Sequence, residues 1–340
     1  MRTTVELEGV DGSWWTLAGP QAGDRGVHLA TKPKGCFYDP PVKVVSEEPG
    51  NFPGARYLNH RILRRDIVFG VEILNDRGED SWISRDSEWR KAWAFDRDSR
   101  LHVTTDRSGH RVLNLRLLES PELADGDDTY DPGTNPVTRT IMTCVAYDPF
   151  WYGDDVVYPV ETETDTRFDP SLWTPPWPWQ ELPQETLTIT VDPSDGRGGL
   201  NPTDQEIWLK WTVPASHEMV PEFPWPFPPG IEIPWERAPF TQYVIPDYSY
   251  EDEKLANRRL KTPGLIYGED CLIDTDPRVE QFQAANDSPV WARTNGVRFK
   301  HYVPPYTKSQ TFEITASGVA PGQMITLRIP RPWSRPWGLE

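Results

Sequence analysis

Proline sets the first limit on what this chain can become. It occurs 36 times in 340 residues, roughly twice the usual share of about 5%. Each proline removes a backbone donor and locks φ, so long helices cannot be built around so many of them. Strands joined by stiff loops tolerate them, because proline suits strand ends, sheet edges and turns. The 16 tryptophans argue against the other proline-rich class, disorder, which is poor in aromatics. The expectation is mainly β-structure whose loops pack through aromatic rings, in a chain long enough for two cores.

Hydropathy patterning places the elements. Val5 and Leu7, then Trp15 and Leu17, predict an opening hairpin around Asp11-Gly12. Ile67, Phe69, Val71 and Ile73 alternate as one apolar face of a strand. One helix is expected from Arg85 to Phe95, with Ser84 as its N-cap and Asp86 and Glu88 in its first turn. Trp82, Trp89 and Trp93 gather near one face of it, either as an aromatic binding strip or as the face that pins the helix to a sheet. Leu101–Thr105 and Arg111–Leu118 flank the turn at 106–109 as a second hairpin, and a strand follows from Thr138 to Val145.

The stretch Ala146-Tyr147-Asp148-Pro149-Phe150-Trp151-Tyr152 then marks a change of composition. It reads as a seam between a first domain, 1–155, and a second, 156–340, with Phe150, Trp151 and Tyr152 packing the two together. The second domain offers alternating strands around Leu187–Val191, Ile207–Val213, Thr311–Ala316 and Met324–Ile329, and an Asn295-Gly296 hairpin within 291–299. Many short strands with regular turns predict a β-sandwich. Two Pro/Trp-rich insertions interrupt it, near 165–183 and 218–262. Their aromatics, Trp177, Trp179, Trp225 and Phe227, have three readings: folding back on the domain, contacting a neighbouring subunit, or stacking sugars.

The charge narrows the partners. With 52 acidic and 35 basic residues the net charge is −17, which argues against a free-standing nucleic-acid binder and against an anionic membrane surface. Cys36, Cys144 and Cys271 are distant and odd in number, and read as buried, reduced thiols of a protein made in the cytoplasm. The N-terminus lacks an apolar signal core, and no run of about 18 apolar residues offers a membrane span.

A search for chemistry finds little. The six histidines show no zinc spacing, and there is no GxSxG elbow or P-loop. Asp125–Asp131 is acidic enough to suggest calcium, but Tyr130 and Pro136 stand where an EF-hand needs Gly and Glu. No catalytic, cofactor or metal residue is assigned, and the expectation is a structural or binding protein without enzymatic activity.

Several blocks carry a resemblance. They are Ser87-Glu88-Trp89-Arg90-Lys91-Ala92-Trp93, Arg111–Leu117, Asp148-Pro149-Phe150-Trp151-Tyr152 and Asn201-Pro202-Thr203-Asp204 with the Trp208–Trp211 strand. Farther on come Asp274–Arg278, Pro289–Arg293, Gly296–Phe299, Pro304-Pro305-Tyr306 and the closing Arg335–Glu340. In this order they resemble the distal tail proteins of long, non-contractile-tailed bacteriophages, often labelled minor tail proteins in phages of actinobacteria. The resemblance implies an N-terminal β-barrel-like ring domain with one helix, followed by a galectin-like β-sandwich that here carries the Pro/Trp-rich loops. It also implies a virion protein of the tail tip. Six copies would form a ring joining the tail tube protein to the tail-tip hub protein, near the tape measure protein, with DNA passing through the lumen unbound. The alternative is a carbohydrate-binding module that contacts host cell-wall glycans.

Overall fold

The computed structural model describes residues 3–48, 50, 53–76, 81–124, 134–167, 183–217 and 240–340. They divide into two compact units, Met1–Asp154 with Pro332–Glu340, and Asp155–Arg331. The last nine residues, expected with the second domain, therefore belong with the first.

In the first unit the opening hairpin forms from β1 (Thr3–Glu8) and β2 (Trp14–Ala18). β3 (Val27–Leu29), β4 (Val42–Glu47), β5 (Arg56–Ile62) and β6 (Arg65–Leu74) follow. After helix α1 come β7 (Ser99–Thr105), β8 (Gly109–Leu117), β9 (Glu122–Leu123) and β10 (Val137–Ala146). Antiparallel pairing runs β2-β1-β7-β8-β10-β6-β3, and β2 and β3 at its two ends approach each other, which gives the barrel-like form. The alternation in β6 does what its spacing predicts: Ile67, Phe69, Val71 and Ile73 are buried, and Asp66 and Val68 are exposed.

Helix α1 spans Trp82–Lys91 and is the one α-helix among the described residues. It starts three residues earlier than expected: Ser81, not Ser84, is the N-cap, and Ser84 lies inside the helix. Asp86 and Glu88 consequently fall beyond the first turn, which holds no acid. The tryptophans settle as core. Trp89 and Trp93 are buried, Trp15 meets Trp89 edge-on at 5.3 Å, and Trp82 packs against the same cluster half-buried. A binding strip is excluded for Trp89 and Trp93, which are 1% and 4% exposed.

The second unit is a sandwich of two sheets. One has the order β12-β18-β14-β15, from Gln184–Val191, Gln310–Ser317, Gln242–Pro246 and Arg259–Lys261. The other runs β17-β16-β13-β19-β11, from Phe282–Ala284, Cys271–Asp274, Lys210–Val213, Met324–Trp333 and Trp151–Glu161, of which Pro332–Trp333 and Trp151–Asp154 count with the first unit. Between the faces, Trp211 of β13 meets Phe312 of β18 at 5.9 Å and 86°. This is the galectin-like architecture.

Two expectations in this unit fail for physical reasons. The Asn295-Gly296 hairpin does not form. Asn295 (φ 52°) and Gly296 (φ 76°) instead close a 3-10 turn over Val290–Thr294, because left-handed residues end helices as readily as they turn hairpins. The insertion near 218–262 is also shorter than expected, since β14 and β15 within it are sheet strands with Tyr243 and Ile245 buried. All three cysteines are free and buried.

Candidate functional site

One element of the first unit has no core to serve. β4 and β5 pair only with each other, as a two-stranded sheet apart from the rest. Every residue of β4 is exposed, as is every residue of β5 but the half-buried Ile62. Val44 (60%), Tyr57 (57%), Val42 (51%) and Leu58 (50%) are among the largest exposed apolar side chains of the chain. An isolated two-stranded hairpin is marginal in water, and both of its outer edges keep unpaired backbone groups. The base is closed by a bond from Leu63 N to Pro41 O at 2.8 Å. Charge adds a second mark. Lys43 stands directly across from Arg61, a repulsive pair that an acidic neighbour would relieve. The two strands carry Lys43, Arg56 and Arg61 against Glu47 alone, in a chain whose net charge is −17.

Sequence reasoning missed this arm. Its apolar residues follow no face that a core would select, so periodicity is silent; the available signal is the Val-Lys-Val-Val run of Val42–Val45 after Pro40-Pro41.

Of the residues singled out in advance, the structure describes Phe150, Trp151 and Tyr152. Trp151 lies wholly inside the first unit's core, its Nε1 donating to Cys36 O at 3.1 Å. Phe150 is half-buried, and its N–H donates to Asp148 Oδ1 at 3.2 Å. Tyr152 donates its hydroxyl to Asp148 Oδ2 at 2.7 Å. Trp177, Trp179, Trp225 and Phe227 lie outside the described residues, as does the acidic 125–131 segment. Among the described residues no group of three His, Cys, Asp or Glu side chains is placed to hold a metal ion, and no helix is long and apolar enough to cross a membrane.

Minor tail protein Gp27 of Mycobacterium phage D29 is 65% identical over 340 residues, covering 99% of each chain. Minor tail protein Gp27 of Mycobacterium phage L5 is 66% identical with the same coverage. The chain belongs to this minor tail protein family. No family model matches it. The crystal structure of phage SPP1 Dit (gp 19.1), described as a paradigm of the hub adsorption apparatus in phages infecting Gram-positive bacteria, shares the fold. The TM-score is 0.53 at 12% identity, covering 96% of this chain and 98% of that one. As a member of the minor tail protein family the chain is a structural part of the phage tail and a component of the virion. The resemblance drawn from the sequence blocks is thereby borne out.

In this tail protein's first unit two imidazoles form a coupled pair. His102 of β7 and His110 of β8 stack with centroids 5.1 Å apart, and His102 Nδ1 lies 2.9 Å from His110 Nε2. His102 Nε2 faces Glu8 Oε2 at 3.3 Å. If Nε2–H donates to Glu8, Nδ1 must accept, and His110 must supply its Nε2–H. Protonating both rings would set N–H against N–H. Arg100, which pairs with Glu8, and Asp154, 3.9 Å from His110, are the other charges nearby. Burial first, then His110, holds the His102 imidazole below its ordinary pKa. The folded state thus refuses a proton that the unfolded chain takes up below about pH 6.5. Its contribution is complete above that pH and is lost as pH falls from there through the lower pKa of the folded state. Lowering the pH from about 7.5 to about 5.5 should reduce the urea midpoint of the first unit, and His102→Gln should flatten that slope. An unchanged slope in the variant would assign the acid sensitivity elsewhere.

Proposed function

We propose that six copies of this chain form a ring at the tail tip that joins the tail tube protein to the tail-tip hub protein, next to the tape measure protein, with DNA passing through the lumen. The observation that carries the ring is the β4–β5 arm: apolar, net basic, open at both edges, and attached to an acidic chain. A second copy of the same chain supplies the acidic surface that this arm lacks, and an exposed hairpin joins a neighbour by adding strand edges and burying side chains. Because each copy offers an arm and receives one elsewhere, the contact is head-to-tail, the kind that makes a ring when the rotation between copies closes. The family and the hub description of the SPP1 relative support the place in the tail. Strong negative charge suits a conduit that must not grip its cargo. The role calls for no catalysis, and synthesis in the host cytoplasm agrees with three free, buried thiols.

Electron microscopy of the purified protein at high concentration, with mass from light scattering, tests this reading. Six-fold rings with a central channel, at six times the chain mass of 39.0 kDa, are expected. A chain that stays monomeric even with tail tube and hub proteins present refutes it.

A further inference from the structure

The second unit holds a small cavity, part apolar and part polar in its lining, that the tail role does not use. It lies where the segment after β14, the residue after β16 and the stretch at His301 meet, against Phe312. Its free volume is ≈ 10 Å³, about that needed for the centre of one water molecule. A second small cleft, reaching Glu251 and Tyr302, shares Tyr250 and His301 with it.

Three of the lining residues carry a buried polar atom without a hydrogen-bond partner among the described residues: Tyr250 Oη, Thr275 Oγ1 and His301 Nε2. Burying such atoms unpaired is costly, and buried polar groups are otherwise almost always satisfied. Asp247, also on the cavity wall, does not serve them. Its carboxylate already accepts from Lys300 N and His301 N and pairs with Arg258. Burial first, then Arg258 and Lys300, keeps the His301 imidazole below its ordinary pKa, so its ring is neutral and Nε2 either donates or accepts. The two hydroxyls each do both. What fits is a neutral group of hydroxyl size with two donors and two acceptors.

We infer that this cavity binds one water molecule that bridges Tyr250, Thr275 and His301. The water ties together three chain segments that share no direct bond through these atoms, and so fixes this end of the sandwich.

The test uses the full-length protein with Tyr250→Phe, Thr275→Val and the double variant. Each substitution deletes one polar atom and keeps the shape. With the bridging water present, each single variant should lower the folded-to-unfolded ratio roughly five- to thirtyfold. The double variant should lose less than the product of the two, because a shared water couples residues that do not touch by hydrogen bond. Single variants that match or exceed the unsubstituted protein overturn the inference, since relieving an unpaired buried hydroxyl in a dry cavity is neutral or stabilising. Losses that multiply independently overturn it as well. Crystals of the unsubstituted protein give a second reading. Density for one water within hydrogen-bond reach of all three atoms is expected, and an empty cavity overturns the proposal.

Discussion

Replacing Arg65 with methionine is expected to abolish stable folding of the first unit. Arg65 is 0% exposed, and its guanidinium donates only to backbone carbonyls: those of Pro149, Gly35, Cys36, Tyr38 and Ser334. One side chain thus ties the start of β6 to the 35–38 loop, to the turn before β11 and to the C-terminal segment. Gly35 makes the arrangement possible. It sits at φ +80°, and a Cβ there would fall 2.2 Å from Asp66 O, so only glycine lets the loop lie this close to β6. Burial lowers the Arg65 pKa to about 10, which leaves it charged at neutral pH. Methionine fills similar space but leaves the carbonyls without donors, at about 1–3 kcal/mol for each buried group. Even the low end, summed over the carbonyls, approaches the roughly 5–15 kcal/mol that holds a whole domain together. Lysine would not rescue it, because a single ammonium cannot reach acceptors spread around a planar fork. Far-UV circular dichroism and urea midpoints measure the effect. Arg64→Met is the control, since Arg64 is exposed and its ion pair with Asp66 at 3.1 Å is a surface contact worth about 1 kcal/mol at most. Equal midpoints for the two variants would show that the carbonyl cage is dispensable.

That cage shows where sequence reading stops. β6, the β7–β8 hairpin, β12 and β18 are legible because half-buried strands force alternation, and Ile67–Ile73 or Leu187–Val191 display it directly. The start of α1 is less so, because Ser81 and Ser84 have equal claims as caps, and only the placement of Trp82 in the first turn separates them. The Asn295-Gly296 dipeptide has the left-handed geometry it advertises, but nothing local says whether it joins two strands or ends a turn of 3-10 helix.

Buried polar anchors are opaque for a different reason. An arginine in a sequence reads as surface. Yet Arg65 holds Ser334 O, Arg111 holds Arg335 O at 2.8 Å and Gly338 O at 3.1 Å under the ring of Trp333, and Arg331 holds Gly199 O at 2.7 Å. Asn201 is the same case: its side-chain amide reaches Gln205 O, Val303 O and Pro304 O, which gives the Asn201–Asp204 block a structural reason to be distinctive. The partners are often more than a hundred residues away, so no window of sequence contains them. The return of 332–340 to the first unit depends on these contacts, on the stack of Phe37 with Trp337 at 5.3 Å and on the pairing of Arg335 with Asp39 at 2.5 Å. The closing Arg335–Glu340 block is visible as a motif, while its destination is not.

The arm is the opposite case, since its strands are exposed among the described residues, and its removal should separate assembly from folding. Replacing residues 42–62 with a short Gly/Ser linker joins Pro41 to Leu63, whose backbones already meet at 2.8 Å. None of the described residues among those deleted belongs to the first unit's core, so the urea midpoint and circular dichroism of the shortened chain should stay near those of the full one. On the ring proposed above, its mass in solution should fall from six copies to one. The size of the effect follows from the side chains. Fully burying a valine or leucine is worth about 1.5–3 kcal/mol, so Val42, Val44, Val45, Tyr57 and Leu58 together outweigh much of the roughly 4–15 kcal/mol that association costs. Reversing charge with Lys43→Glu and Arg61→Glu keeps that apolar area but sets the arm against an acidic neighbour, and should weaken the ring in a way that added salt partly restores. An armless chain that still forms six-fold rings would move the contact to another face of the first unit. An armless chain that unfolds would mean that the hairpin, exposed as it is, supports its own protomer. Only a folded, monomeric product, together with salt-dependent weakening in the charge reversal, fits an arm whose acidic partner is the next copy of the chain.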